Sequence, residues 1–208
     1  MPFKQKIRVD ENTDLILWHI TESANDLSLL SVNIADEQTP RSKNNLHWMA
    51  SRAIICSYFN DSPHIVLYKD EFNKPHLEVG SQKYFISISH SFTFAAVIIS
   101  KVRNCAVDIE KIDSRVQRVS SKFLHHSELE SMQGNESPIL AATLIWSAKE
   151  TIYKWYGKKE VDFKNEMQIT LPSSLIQSIP LGGILHKNGV HQFNIFWLMF
   201  DEYIITWI

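Results

Sequence analysis

The sequence predicts an α+β fold built as two halves, each a small sheet with one principal helix. Three observations carry that prediction. Short apolar runs bounded by turn residues recur from end to end, as strands do. Two longer stretches, around residues 43–59 and 137–157, repeat apolar residues at helical spacing instead. Lys101-Val102-Arg103-Asn104 is a turn-like joint between them, dividing the chain into residues 1–103 and 104–208. No residue-level repeat relates the halves, and no flexible linker separates them.

In chain order, Leu15 to Ile20 reads as a short buried strand, followed by a polar segment compatible with helix or loop. From Lys43 to Phe59 the positions Leu46, Met49, Ala50, Ala53, Ile54 and Tyr58 share a helix face, which Asn60-Asp61-Ser62-Pro63 terminates. Ile65 to Tyr68 and Tyr84 to Ser89 read as strands around the turn-rich Asp70 to Pro75. The apolar run Phe92 to Ser100 is expected to form a hairpin with Cys105 to Glu110 through the 101–104 turn. Arg115 to Leu124 has helical spacing, and Ser127-Glu128-Leu129-Glu130 reads as a capping box for a short helix. A long helix starts at Ser137-Pro138, cap and first turn, and stops at Gly157. Met167 to Leu171, Phe193 to Phe200 and Tyr203 to Ile208 complete the strands.

Composition narrows the function classes. With 208 residues, 44% hydrophobic and 11% aromatic, the chain can bury a substantial core. Its 21 basic and 23 acidic residues leave a net charge of −2, so no general basic field points to nucleic acid. Cys56 and Cys105 are far apart, with neither a CxxC pair nor zinc spacing, and read as buried thiols of a reduced cytosolic protein. The N-terminus has no apolar signal region, and no apolar run approaches the ~20 residues of a membrane helix. A cytoplasmic protein without a membrane partner is expected.

Two motifs carry chemistry. In the first, Asp108 and Glu110 alternate with Val107 and Ile109, so both acids leave one face of a strand, roughly 6.6 to 7 Å apart. Like charges at that distance repel unless a cation lies between them. In the second, Trp146-Ser147-Ala148-Lys149-Glu150-Thr151-Ile152-Tyr153-Lys154, the Glu150 and Lys154 side chains stand four apart on an otherwise apolar helix and share a face. Such charges need partners, because an unpaired buried charge is costly. Three carboxylates suit a hard divalent cation such as Mg²⁺. Ser87 and Ser89-His90-Ser91, at a strand end, offer hydroxyl, imidazole and N–H groups to a phosphate, while Arg52 adds a cation on the preceding helix.

The order Arg52, Lys74-Pro75, Ser89-His90-Ser91, Asp108-Ile109-Glu110, Trp146-x-x-Lys149-Glu150-x-x-x-Lys154 closely resembles the 4′-phosphopantetheinyl transferase superfamily, in its larger single-chain form. The resemblance covers about residues 40 to 156. It implies a pseudo-dimer of the two halves, monomeric, with the active site in the cleft between them. The implied reaction moves the phosphopantetheine arm of coenzyme A to a serine of an apo acyl or peptidyl carrier protein, releasing adenosine 3′,5′-bisphosphate. Asp108, Glu110 and Glu150 are then the ligands of Mg²⁺, with Mn²⁺ as the alternative ion. Arg52, with Lys43 or Arg41, would hold the 3′-phosphate, Lys74 and Pro75 would lie against adenine, and Ser89 and His90 would bind phosphate oxygens. Lys154 would neutralise the pyrophosphate, and Glu150, directly or through a metal-bound water, would take the serine proton. Arg115 to Leu129 resembles the carrier-docking region, where Phe123 and Leu124 are either docking contacts or core.

Ala106 and Asn73 stand where the family usually has glycine. Alanine accepts strand angles and asparagine a left-handed turn, so both are compatible with the fold. The same acids leave two other readings open: a metal-dependent phosphodiesterase or nuclease, and a protein that binds coenzyme A or a carrier without turnover.

Overall fold

The computed structural model describes residues 4–36, 45–60 and 64–208, so Arg41 and Lys43 lie outside the described residues, as do 61–63 of the expected helix stop. The chain forms two compact units, Met1–Ala106 and Val107–Ile208. Each combines one sheet with helices, the α+β organisation expected from the alternating strand and helix signals.

The first unit holds strands β1 (Lys4–Asp10), β2 (Thr13–His19), β3 (Ile34–Asp36), β4 (Ile65–Lys69), β5 (Pro75–Val79), β6 (Gln82–Ser91) and β7 (Phe94–Ser100), and helices α1 (Ala24–Leu30) and α2 (Leu46–Tyr58). Its seven strands lie in the order β1-β2-β7-β6-β5-β4-β3. Pairing is antiparallel except between β3 and β4. Helix α2 packs its apolar side, with Ala50, Ala53 and Ile54, onto Ile16, Trp18, Ile86, Ala95, Val97 and Ile99 of the sheet.

The second unit holds β8 (Val107–Lys111), α3 (Arg115–Val119) with a 3₁₀ turn at Ser120–Lys122, α4 (His126–Gln133), α5 (Pro138–Tyr156), β9 (Met167–Thr170), β10 (Leu181–His186), β11 (Val190–Phe200) and β12 (Tyr203–Trp207). Its sheet order is β8-β12-β11-β10-β9, antiparallel throughout. Pro138 opens α5 and Gly157 closes it at φ 70°, a left-handed angle that suits glycine. Ala141, Leu144, Ile145, Ala148 and Ile152 of α5 share a core with Ile169, Leu185, Ile195 and Ile204 of the strands. Gly183 makes that approach possible: a Cβ there would stand 2.8 Å from Ile195 Cδ1 and 3.0 Å from Ile152 Cδ1.

Several expectations are corrected. β7 and β8 form no hairpin. β7 is an inner strand, hydrogen-bonded on both sides to β2 and β6, whereas β8 pairs with β12 in the other sheet. An inner strand has no edge left to offer. The capping box sits two residues earlier than expected, with His125 as N-cap and the Glu128 carboxylate accepting from His125 N at 2.7 Å. Of the two readings left open for Phe123 and Leu124, the core one holds: each is 2% exposed and belongs to the core of the second unit. Cys56 and Cys105, by contrast, are buried free thiols as expected.

Candidate active site

The strand acids and the helix motif meet in the second unit. In the β8–β12 register Asp108 lies opposite Thr206 and Glu110 opposite Ile204, so both acids share the sheet face that carries Ile204 against α5. From α5, Lys154 Nζ reaches Asp108 Oδ1 at 2.6 Å and the Val107 carbonyl at 3.3 Å. Ser147 Oγ donates to Asp108 Oδ2 at 2.8 Å. Trp146 Nε1 donates to Glu110 Oε1 at 2.8 Å. Both oxygens of Asp108 therefore have donors, and the carboxylate is 3% exposed.

Electrostatics tie Glu150 to the same point. Burial, followed by the Asp108 charge, pushes its carboxyl up to about 7, and Lys154 offsets only part of this. No hydrogen bond contributes. Glu110 is likewise raised, to about 7, by burial first and then by the charges of Asp108 and Glu150, against the Trp146 N–H and Lys154. Three acids thus crowd one low-dielectric region with one ammonium among them, and two of them hold their protons near neutrality.

This donor set fits a divalent cation, which takes hard oxygen ligands and would relieve the repulsion that raises Glu110 and Glu150. Among the described residues no three His, Cys, Asp or Glu side chains stand at metal-holding spacing. Lys154 and Ser147 engage Asp108, and Trp146 engages Glu110.

The remaining expected site residues belong to the first unit. Arg52, on α2, is 5% exposed; its guanidinium stacks on Trp48 at 4.4 Å and Nη1 donates to Ser51 Oγ at 2.9 Å. Lys74 precedes β5 and Pro75 is its first residue, where the missing N–H costs least. Their turn is held by Asp70, which accepts from the Phe72 and Lys74 N–H groups at 2.9 Å each, and Asn73 adopts φ 69°. Lys74 Nζ donates to Asn104 Oδ1 at 3.0 Å, and burial lowers its ammonium below the ordinary lysine range. Ser89 and His90 are neighbours on β6 and point to opposite faces of the sheet. Ser89 is buried together with Ser87 and Ser91, while His90 is exposed and stacks on His47 of α2 at 4.4 Å. The expected hydroxyl and imidazole cradle is thus divided between two faces.

Sequence reasoning missed four residues that hold the acids or the helix bearing them. Ser147, Thr151 and Thr206 are fully buried hydroxyls beside Asp108. Lys149, quoted only as part of the helix motif, is 0% exposed and donates to Glu128 at 2.7 Å and to the carbonyls of Phe123, Phe163 and Met167 at 2.8, 2.7 and 3.0 Å. A signal for the hydroxyls was present: Ser147, Glu150, Thr151 and Lys154 make a polar stripe on an apolar helix, and Thr206 is the polar residue of an apolar strand.

Enterobactin synthase component D of Salmonella typhimurium strain LT2 and that of Salmonella typhi are each 37% identical to the chain over 78 residues, which is 36% of this chain and 33% of theirs. The matched segment thus spans about a third of the length of these relatives. The family model described as the 4′-phosphopantetheinyl transferase superfamily matches residues 104–207, half of the sequence and all of the acid and helix motifs. By that match, the chain belongs to the 4′-phosphopantetheinyl transferase superfamily.

Proposed function

We propose that the protein transfers the 4′-phosphopantetheine arm of coenzyme A to a serine of an apo carrier protein, in the manner of a holo-carrier-protein synthase. The observation that carries this reading is the meeting of Asp108 and Glu110 on β8 with Glu150 and Lys154 on α5. The serine oxygen bonds to the phosphorus that carries pantetheine, the pyrophosphate P–O bond breaks, and adenosine 3′,5′-bisphosphate leaves. Such a transfer needs positioning and charge neutralisation more than covalent help.

Glu150 takes the serine proton. With no metal bound, burial raises its carboxyl to about 7, near the operating pH that suits a base. Lys154 neutralises the pyrophosphate, including the adenosine-side phosphate that leaves. Asp108, Glu110 and Glu150 would hold Mg²⁺, or Mn²⁺ in its place. When bound, the ion supplies charge neutralisation at the pyrophosphate oxygens. Coenzyme A is held by the first unit through Arg52 and Lys43 at the 3′-phosphate, Lys74 and Pro75 at adenine, and Ser89 or His90, which face opposite sides of β6, at the phosphates. The second unit carries the acids, the base and the carrier-docking segment.

The matched relatives are components of enterobactin synthase, so a peptidyl carrier of a multicomponent synthase is the first substrate to test. The protein, coenzyme A, Mg²⁺ and several apo carriers are incubated and carrier mass is measured. One carrier gains the phosphopantetheine mass, and chelator prevents the gain. Tight coenzyme A binding with no carrier modified overturns transfer in favour of binding alone, and Mg²⁺-dependent cleavage of nucleic acid in its place favours a phosphodiesterase.

A further inference from the structure

Behind Asp108 lies a chain of hydroxyls with a defined direction. Ser147 Oγ is 2.8 Å from Asp108 Oδ2 and 2.9 Å from Thr206 Oγ1, and Thr206 Oγ1 is 2.6 Å from Thr151 Oγ1. All three hydroxyl residues are 0% exposed, so no solvent intervenes. Each hydroxyl has one proton to give. The Asp108 carboxylate, paired with Lys154, only accepts, so the Ser147 proton is committed to it. Ser147 must then accept from Thr206, and Thr206 in turn from Thr151, whose hydroxyl also makes a longer contact of 3.4 Å to the Thr206 carbonyl. The three O–H dipoles align head to tail and point at Oδ2, and in a buried chain each bond strengthens the next.

We propose that Thr206 and Thr151, acting through Ser147, are positioning residues that fix the Asp108 carboxylate for the divalent cation of the proposed reaction. The anchor is built from both elements of the site: Ser147 and Thr151 lie one turn apart on α5, and Thr206 faces Asp108 across the β8–β12 ladder. With Oδ2 held by the relay, the carboxylate is restrained from rotating, and Oδ1 is presented beside Lys154. Because the relay is fully buried, it acts without touching substrate.

The proposal rests on the metal reading of the three acids, and the experiment separates the two. Thr206→Val removes the middle hydroxyl at nearly constant volume, and Thr206→Ser restores it. Mn²⁺ binding is measured directly by the paramagnetic signal of the free ion. Thr206→Val is expected to weaken Mn²⁺ binding about tenfold with an unchanged affinity for coenzyme A, and Thr206→Ser to return it to within about twofold. In chelator, the melting temperatures of Thr206→Val, Asp108→Asn and the double variant are expected to be non-additive, because the dipoles stabilise the charge that Asn lacks. Additive melting shifts, or Thr206→Val binding Mn²⁺ as the parent protein does, would overturn the relay. If the parent protein itself binds no Mn²⁺, the metal reading and this presentation role fall together, while the metal-free cycle still decides whether the relay is coupled to Asp108.

Discussion

The Lys154 ammonium lies 2.6 Å from Asp108 Oδ1, one helical turn beyond Glu150, so one cation already neutralises the most buried of the three site carboxylates. Truncation by Lys154→Met leaves Asp108 desolvated with Ser147 as its remaining named donor, a loss of about 1–3 kcal/mol of stability. A divalent cation then replaces the missing charge. Mg²⁺ should raise the melting temperature of Lys154→Met more than that of the parent protein, while phosphopantetheine transfer falls. Equal Mg²⁺ shifts in the two proteins would separate Lys154 from the cation site.

Glu150→Gln keeps the shape of the side chain and removes its ability to take a proton. Loss of a general base costs roughly 10²–10⁴-fold in rate. Transfer measured by carrier mass should fall by that order, with coenzyme A affinity by calorimetry changing only several-fold. Near-normal turnover would end the assignment of Glu150 as base.

The raised carboxyls of Glu110 and Glu150 set the sign of two pH effects. Between the ordinary value of 4.5 and about 7 the folded protein keeps protons that the unfolded chain has released. The metal-free protein should therefore lose stability as pH rises across that window, most steeply near its middle. A cation competes with those same protons, so Mg²⁺ should bind more tightly from pH 6 to 8 and release protons as it binds. Calorimetry in buffers of different ionisation enthalpy counts the protons, and a count of zero at pH 6.5 contradicts the shared site.

The acids were legible in the sequence because periodicity alone sets their directions: alternation aims Asp108 and Glu110 to one side, and a spacing of four aims Glu150 and Lys154 together. The relay was not, since lone hydroxyls at Ser147, Thr151 and Thr206 are ordinary until a sheet register places Thr206 opposite Asp108. Strands failed where side chains carry little pattern. β1 is mostly charged, β5 begins at proline with Leu77 and Val79 as its apolar pair, and β10 contains Gly182 and Gly183. Each is held by its neighbours' hydrogen bonds rather than by its own propensity. The hairpin expected at residues 101–104 failed for the same reason, because strand pairing across a turn depends on whether an edge is free. His125 was passed over as a cap because imidazole is an uncommon one, and Ser127 two residues on looked like the usual choice.

Lys149 shows how a residue next to the base can serve architecture instead of chemistry. Its ammonium binds Glu128 and three backbone carbonyls, joining the segment after α3, helix α4, the segment after α5 and the start of β9. Glu128 completes the joint by accepting from the His125 and Ile169 N–H groups at 2.7 Å each. Both side chains are 0% exposed. Removing one charge strands the other in a low dielectric, so Lys149→Met should cost about 3–5 kcal/mol. The double variant Lys149→Met, Glu128→Gln carries no stranded charge, and its single amide oxygen can still accept from one of the two N–H groups, which bond different oxygens of Glu128. It should recover a large part of that loss in urea unfolding, although the three carbonyls that Lys149 served stay unsatisfied and hold recovery short of complete. If the double variant is as unstable as the sum of the singles, the carbonyl contacts rather than the ion pair hold the joint.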